Sequence, residues 1–265
     1  MNIFRRALLR VALKLLATEN CELVRFLRGR GVSSVGFETD QGSILIPINS
    51  RSIIETFLDG KYFGLETLKA FLNFELSSNR LLNIGANVGT SAKMLVASER
   101  YRQIDCFEPD PSNFSYLSLN LADEPTVLIH NTAVGAKPGL LPLNINPQSI
   151  GRHSFKTDFG LGSITVPVTT IADLVGGDEK FDIFMDVEGW EIEVLRGASF
   201  KLKNCIICAL EWNGQLHSRD ARLEMIEIVK EAGFLKVADL NDVTRIFEIC
   251  DIEGLDYQCD LIFSR

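Results

Sequence analysis

From Arg80 onward, short apolar runs alternate with helix-length segments in which apolar residues recur every three or four positions. Parallel strands need a long crossover, usually a helix, so this alternation predicts right-handed βαβ units on a mostly parallel sheet with helices on both faces. The runs predict strands at 80–84, 103–107, 126–130, 181–186, 204–211 and 258–264, and helices at about 89–99, 111–121, 170–175, 189–196 and 219–232. Between the third and fourth strands, residues 135–168 form an excursion with two strand-like pieces and Gly-rich turns, long enough to cover a site. Upstream the pattern differs. Val35–Thr39 and Ser43–Pro47 flank Asp40-Gln41-Gly42, which predicts a hairpin, followed by helical stretches near 51–58 and 64–77. Ile3, Leu8, Val11, Leu15 and Leu16 share one side of an amphipathic helix that precedes a second short helix ending at Gly29–Gly31. We therefore expect an α/β protein with an accessory N-terminal part, residues 1–78, made of helices and a hairpin, and a main domain over residues 79–265.

Composition narrows the function classes. The 265 residues include 27 Lys+Arg and 35 Asp+Glu, a net charge of -8, whereas binding to nucleic acid draws on a concentrated basic surface. No nucleic-acid partner is expected. Basic side chains do concentrate in residues 1–30, and the helix over residues 1–17 is expected either to pack on the domain or to make a weak membrane-surface contact. Arg10 and Lys14 interrupt Ala7–Ala17, which argues against a signal peptide or a membrane span, and the expected location is the cytoplasm. Cys106, Cys205 and Cys208 fall in apolar runs, as buried free thiols do. Cys205 and Cys208 are three apart in a strand, so their thiols are expected on opposite faces, and no Cys/His set has zinc spacing. No metal site is expected.

The segment Leu81-Leu82-Asn83-Ile84-Gly85-Ala86-Asn87-Val88-Gly89-Thr90-Ser91 runs from a strand through two glycines into a helix, and glycine at such a turn lets backbone approach a ligand. Its spacing is not the Gly-x-Gly-x-x-Gly dinucleotide fingerprint. About twenty residues later, Asp105-Cys106-Phe107-Glu108-Pro109-Asp110-Pro111 ends the next strand with a carboxylate that can accept both hydroxyls of a ribose. Glu108 takes that role in this reading, and Asp110 before Pro111 reads as a helix N-cap.

These motifs resemble the S-adenosylmethionine-dependent methyltransferases, in particular the FkbM family. His130-Asn131-Thr132-Ala133-Val134-Gly135 after the third strand, Thr169–Leu174, Asp186-Val187-Glu188-Gly189-Trp190-Glu191 with Leu195–Ala198, and Ala209-Leu210-Glu211 carry the match in the family's order over about residues 60–235. The resemblance implies a class I methyltransferase, a Rossmann-like sheet, with S-adenosylmethionine as cofactor. It implies that Asn83, Gly85, Ala86, Asn87 and Gly89 hold the methionine end, Glu108 the ribose, and the segment Asn131–Ala133, through Asn131 and Ala133, the adenine. The chain departs from the family at Asn83, usually Asp, and at Met185, commonly Lys. The implied acceptor is a hydroxyl of a sugar, glycan or small metabolite.

Asp186 and Glu188 fall at the carboxyl end of a central strand, where open α/β sheets bind ligands, and alternate residues share a side. Either carboxylate is a candidate to orient an acceptor hydroxyl or take its proton. Glu191 and Glu193 read as first-turn residues that suit the helix dipole. Glu211-Trp212-Asn213-Gly214-Gln215-Leu216-His217 brings an acid, an aromatic face and an imidazole to the same edge, which makes His217 a third catalytic candidate and His153 its rival. His130, ending an apolar strand, reads as structural. The alternatives to an enzyme are a non-catalytic nucleotide-fold binding module and a membrane-surface adaptor.

Overall fold

The structure is a computed structural model that describes residues 29–74, 78–146, 150–160 and 162–265. The predicted helices before residue 29 lie outside the described residues. The chain opens on a hairpin of β1 (Ser34–Thr39) and β2 (Gly42–Pro47), then α1 (Arg51–Leu58) and α2 (Leu65–Leu72). The main run continues with β3 (Arg80–Ile84), α3 (Thr90–Ala97), β4 (Gln103–Phe107), α4 (Pro111–Asn120) and β5 (Val127–His130). An excursion follows, with β6 (Ala133–Val134), β7 (Gly139–Asn144) and β8 (Ser163–Thr169), then α5 (Ile171–Leu174). The chain returns to the sheet through β9 (Phe181–Met185), α6 (Glu191–Ala198), β10 (Cys205–Asn213) and α7 (Arg219–Glu231), and closes with β11 (Lys236–Asp239), β12 (Asp242–Phe247) and β13 (Gln258–Ser264).

The central sheet has the order β12-β11-β13-β10-β9-β3-β4-β5. The five strands from β10 to β5 are parallel, and β13 enters antiparallel between β10 and β11. Chain order reverses at β3: β4 and β5 lie on one side of it and β9 and β10 on the other. The crevice beyond the carboxyl ends of β3 and β9 is therefore a topological switch point, where ligands of such sheets bind.

Helices cover both faces because the strands are apolar on both. One core layer joins Ile183 and Leu210 of the sheet to Ile192 and Leu195 of α6 and to Met225 and Val229 of α7. The other joins Leu81 and Ile104 to Phe71 of α2, Leu95 of α3 and Leu117 of α4. The hairpin adds a third cluster, in which Ile44 and Ile46 meet Ile53, Ile54 and Val88. Asn120 ties it down: its Oδ1 accepts from Leu45 N at 2.7 Å, and its Nδ2 donates to Leu45 O at 2.9 Å and Val88 O at 2.7 Å. Among the described residues no helix is long and apolar enough to cross a membrane.

Two expectations need correction. A bulge between Cys205 and Cys208 breaks the strand alternation, so the two buried free thiols share one core layer and touch instead of facing apart. The last part of the chain also contains β11 and β12, which the apolar pattern does not announce, because β12 is exposed along almost its whole length.

Candidate active site

The glycine loop leaves β3 with Gly85 and Ala86 both donating to Phe107 O, at 3.0 and 2.9 Å. Gly85 has φ +85°, and a Cβ there would lie 1.9 Å from Asp186 O. Only glycine allows the β3 loop to press against the β9 loop. Asn87, itself at φ +51°, donates its N–H to Glu108 Oε2 at 2.9 Å, while its own Oδ1 is buried without a partner. Gly89, at φ +93°, turns the chain into α3 and packs toward Leu117, away from the cavity wall. Asn83 is 1% exposed and its amide donates to Ser91 Oγ at 3.1 Å.

Glu108 sits at the carboxyl end of β4 on the same cavity. Its Oε1 accepts from Asp110 N and its Oε2 from Asn87 N, both at 2.9 Å. Burial nevertheless dominates these donors and pushes its carboxyl up to about 8. Asp110 caps α4 through Asn113 N at 2.8 Å. Asn131 is not a cavity residue: its amide is used on Glu108 O and Pro109 O, at 2.9 and 3.1 Å, and so braces the Glu108 turn, while its neighbours Thr132 and Ala133 line the wall. The excursion supplies a cover. Ile150, Gly151, His153 and Phe155 line the cavity; Asn113 Nδ2 anchors Ile150 O at 2.8 Å, and Phe155 packs on Trp190 with ring centroids 4.8 Å apart. His153 accepts from Asn146 N at 3.0 Å on Nδ1, and burial lowers its proton affinity.

At the end of β9, Asp186 N donates to Ile84 O at 3.0 Å, and both Asp186 and Glu188 line the cavity. Desolvation by the walls, then the charges of Glu211 and Glu188, raise the Asp186 carboxyl well above the usual range. Desolvation raises Glu188 too, against the opposing pull of Arg152. This turn is held from beneath. Glu191, fully buried, accepts from Val187 N and Gly189 N on Oε1, each at 3.3 Å, and its Oε2 meets His217 Nε2 at 2.9 Å. Its side chain is thus a buried brace, beyond the dipole role its position suggests.

His217 does not stand at the acceptor edge. The turn after β10 closes on itself through Leu216 N and His217 N, both bonded to Asn213 O, and this points the imidazole inward. Its side chain is 0% exposed, with Nδ1 3.1 Å from Asn213 O and Nε2 on Glu191, so neither nitrogen is free to serve a substrate. His130 stacks on Phe107 at 4.6 Å and meets Asp105 Oδ1 at 3.1 Å, in keeping with a structural role.

Thr67, Gln258 and Asp260 are among the cavity residues that the motifs do not include. Because β13 is antiparallel, its first residues reach the same edge as the last residues of β10, and Asp260 lies directly opposite Glu211. An acid inside the apolar run 258–264 was the available signal; the strand's place in the sheet was not readable. The whole site is one cavity of about 310 Å³, with the glycine loop and Glu108 on one side, Glu211 and Asp260 on the other and Asp186 between them. That size is at the lower end for small-molecule sites. Asn87 Oδ1 and Trp190 Nε1, both buried, unpartnered and on this wall, suit a ligand carrying polar groups of its own. Among the described residues no group of His, Cys, Asp and Glu could hold a metal ion.

The model of the methyltransferase FkbM domain matches residues 83–236. The chain belongs to the FkbM methyltransferase family. This FkbM-family chain is 28% identical, over 145 residues, to hexuronic acid methyltransferase AglP of Haloferax volcanii, a match that covers 53% of the chain and spans 58% of the relative's length. Among solved structures, a TehB-like SAM-dependent methyltransferase from Corynebacterium glutamicum is similar with a TM-score of 0.44 at 9% identity, covering 80% of this chain and 93% of that one. The M. jannaschii TYW2 in complex with AdoMet has a TM-score of 0.43 at 7% identity, covering 87% and 85%. Residues 83–236 are thus a methyltransferase FkbM domain, carried on a sheet whose five strands from β10 to β5 are parallel.

Proposed function

We propose that the enzyme transfers a methyl group from S-adenosylmethionine, its cofactor, to a hydroxyl oxygen of a sugar, free or within a glycan. The observation that carries this reading is a single cavity across the switch point, with a glycine loop and strand-end Glu108 on one side and a carboxylate-rich wall on the other. The 28% identity to a hexuronic acid methyltransferase supports a sugar as the acceptor class. In this reading Gly85, Ala86 and Asn87 hold the methionine end, with Asn83 and Gly89 shaping the loop, and Glu108 accepts the ribose hydroxyls. Thr132 and Ala133 flank the adenine, and Asn131 fixes the Glu108 turn.

The bound cofactor supplies a methyl group on a sulfonium, a good leaving group. What remains for the protein is to place the acceptor in line and exclude water, which can remove several kcal/mol from the barrier. The cover formed by His153, Phe155 and Trp190 does the excluding, and Asp186 and Glu188 orient the acceptor hydroxyl.

The test is incubation of the protein with isotopically labelled S-adenosylmethionine and host glycan and small-molecule extracts, with the product identified by mass spectrometry. A methyl ether on a sugar is expected. Tight cofactor binding with no labelled product from any fraction would favour the binding-module alternative; a product labelled on nitrogen or carbon would overturn the oxygen assignment.

A further inference from the structure

We propose that Glu211 takes the proton of the attacking hydroxyl, with Asp260 as the positioning residue opposite it. The inference rests on methyl transfer to oxygen as the activity, and it begins from an unused atom. Glu211 is 5% exposed and lines the cavity; its Oε1 is held by the Gln258 amide, and its Oε2 is buried without any partner. A buried carboxylate oxygen left unbonded is destabilising and calls for an explanation. The hydroxyl of a bound acceptor would complete it.

Its place in the sheet separates it from the donor side. Glu108 follows β4 and the glycine loop follows β3; Asp186 follows β9, its carbonyl against Gly85; Glu211 is one strand further, on β10. Three strand spacings, roughly 14 Å in all, part the strands of Glu108 and Glu211. Asp186 therefore adjoins the donor loop, while Glu211 faces the half of the cavity left for the acceptor.

Asp260 is the cross-strand partner of Glu211, an arrangement of like charges that weakens a sheet. Asp260 Oδ2 already accepts from Thr67 Oγ1 at 3.4 Å and Asn241 Nδ2 at 3.2 Å, which fixes it in place and leaves Glu211 as the one with an open oxygen. The other charged groups that bear on Glu211 are Glu188 and Asp186 from the β9 loop and Glu191 from α6, all acidic, and the Cys259 thiol lies on the neighbouring strand. Burial first, and then these carboxylates, push the Glu211 carboxyl up to about 8. A proton acceptor is most effective when its affinity lies near the working pH.

The step balances. The C–O bond forms as the hydroxyl proton passes to Glu211 Oε2, the methyl C–S bond breaks with its electron pair staying on sulfur, and the donor leaves as a neutral thioether. Glu211 then returns the proton to solvent. The positive charge of a bound sulfonium would lower the proton affinity of Glu211, so the carboxylate would form with the charged donor in place.

This predicts a signature that needs no acceptor. Calorimetry at about pH 7.5, in buffers of different ionisation enthalpy, should show more protons released on binding S-adenosylmethionine than on binding S-adenosylhomocysteine, which lacks the sulfonium charge. Glu211→Gln should diminish this excess, leaving the part that Asp186 beside the donor loop contributes, and Asp186→Asn should leave the part that Glu211 contributes. With the acceptor found by labelling, Glu211→Gln should lower kcat at least about a hundredfold with little change in cofactor affinity. Asp260→Asn should move the rising limb of the kcat–pH profile to lower pH, and it serves as the independent arm if Glu211→Gln fails to fold. Wild-type kcat in Glu211→Gln, an undiminished proton excess in that variant, an excess abolished by Asp186→Asn instead, or an unmoved profile in Asp260→Asn would overturn the proposal. Wild-type turnover tests O-methylation and the variant-to-wild-type ratio tests Glu211, so the two failures are distinct.

Discussion

Glu108 illustrates how a single side chain can couple cofactor binding to pH. Its carboxyl, pushed up to about 8 by burial, is largely protonated at neutral pH, whereas a ribose is held best by the carboxylate, which accepts both hydroxyls. Affinity for S-adenosylhomocysteine, which lacks the sulfonium charge, should rise as pH passes from about 6.5 to 8.5. Glu108→Gln should bind more weakly, by about 1–3 kcal/mol, and with a flat pH profile; calorimetry across that range measures both. Gly85 carries a different constraint. Its positive φ and the 1.9 Å approach of its missing Cβ to Asp186 O mean that Gly85→Ala must displace one loop from the other. We expect at least about tenfold weaker cofactor binding, read by equilibrium dialysis, in a protein whose circular dichroism is unchanged. At the end of β9, Asp186→Asn and Glu188→Gln test orientation of the acceptor: each should lower kcat at least about tenfold if its carboxylate acts on the transition state, and wild-type kcat in both would remove them from the mechanism.

At the scale of elements, the turn between β9 and α6 depends on a buried brace rather than on its own sequence. Glu188 at φ +51° and Gly189 at φ +93° follow each other, a strained path for the first of the two. Glu191 collects two backbone N–H groups of that turn and the His217 imidazole in a spot with no solvent. Both ring nitrogens of His217 face oxygen atoms, one on Asn213 and one on Glu191, so the side chain ties α6 to the β10 turn. Glu191→Ala would leave these donors unsatisfied and should cost roughly 3–5 kcal/mol of stability, measured by urea unfolding. His217→Ala should destabilise in the same way while sparing the chemical step, seen as a lowered Tm with kcat retained at a temperature where the fold persists. A kcat loss of a hundredfold in a stable His217 variant would return this histidine to the mechanism.

For the molecule as a whole, several carboxylates that line one cavity at the edge of the sheet make stability fall with pH. Glu108, Asp186, Glu188, Glu211 and Asp260 all have folded-state proton affinities raised above their ordinary values, chiefly by desolvation. A raised carboxyl binds more protons folded than unfolded, so its contribution is most favourable below the unfolded value near 4.5 and is lost as pH climbs to the folded one. For Glu108 alone, from 4.5 to about 8, this is on the order of 5 kcal/mol. Tm should therefore decline between pH 6 and 8.5. The slope should be visibly shallower in Glu108→Gln or Glu211→Gln, and an unchanged slope in both would mean that neither carboxyl is displaced in the folded state.

The parallel strands β3, β4, β5, β9 and β10 and their helices were legible because each is a short apolar run followed by an amphipathic one, a local property set by strand and helix periods. The glycine loop and Glu108 were legible for the same reason: the backbone conformation that needs glycine and the strand-end carboxylate are written within one βαβ unit. What the tertiary structure alone decided depends on contacts distant in the chain. The antiparallel entry of β13 brings Asp260 opposite Glu211, although 49 residues part them by their numbers. The bulge in β10 puts Cys205 and Cys208 in one layer, and β12 lacks an apolar signature because an exposed edge strand has nothing to bury. His217 could be seen as an imidazole near the right edge, but only the closing of the turn onto Asn213 O and the packing of α6 point it at Glu191 instead of at a substrate. Local periodicity determines which elements form; the order in which they pack determines which side chains meet, and the acceptor half of this site is built almost wholly from the second.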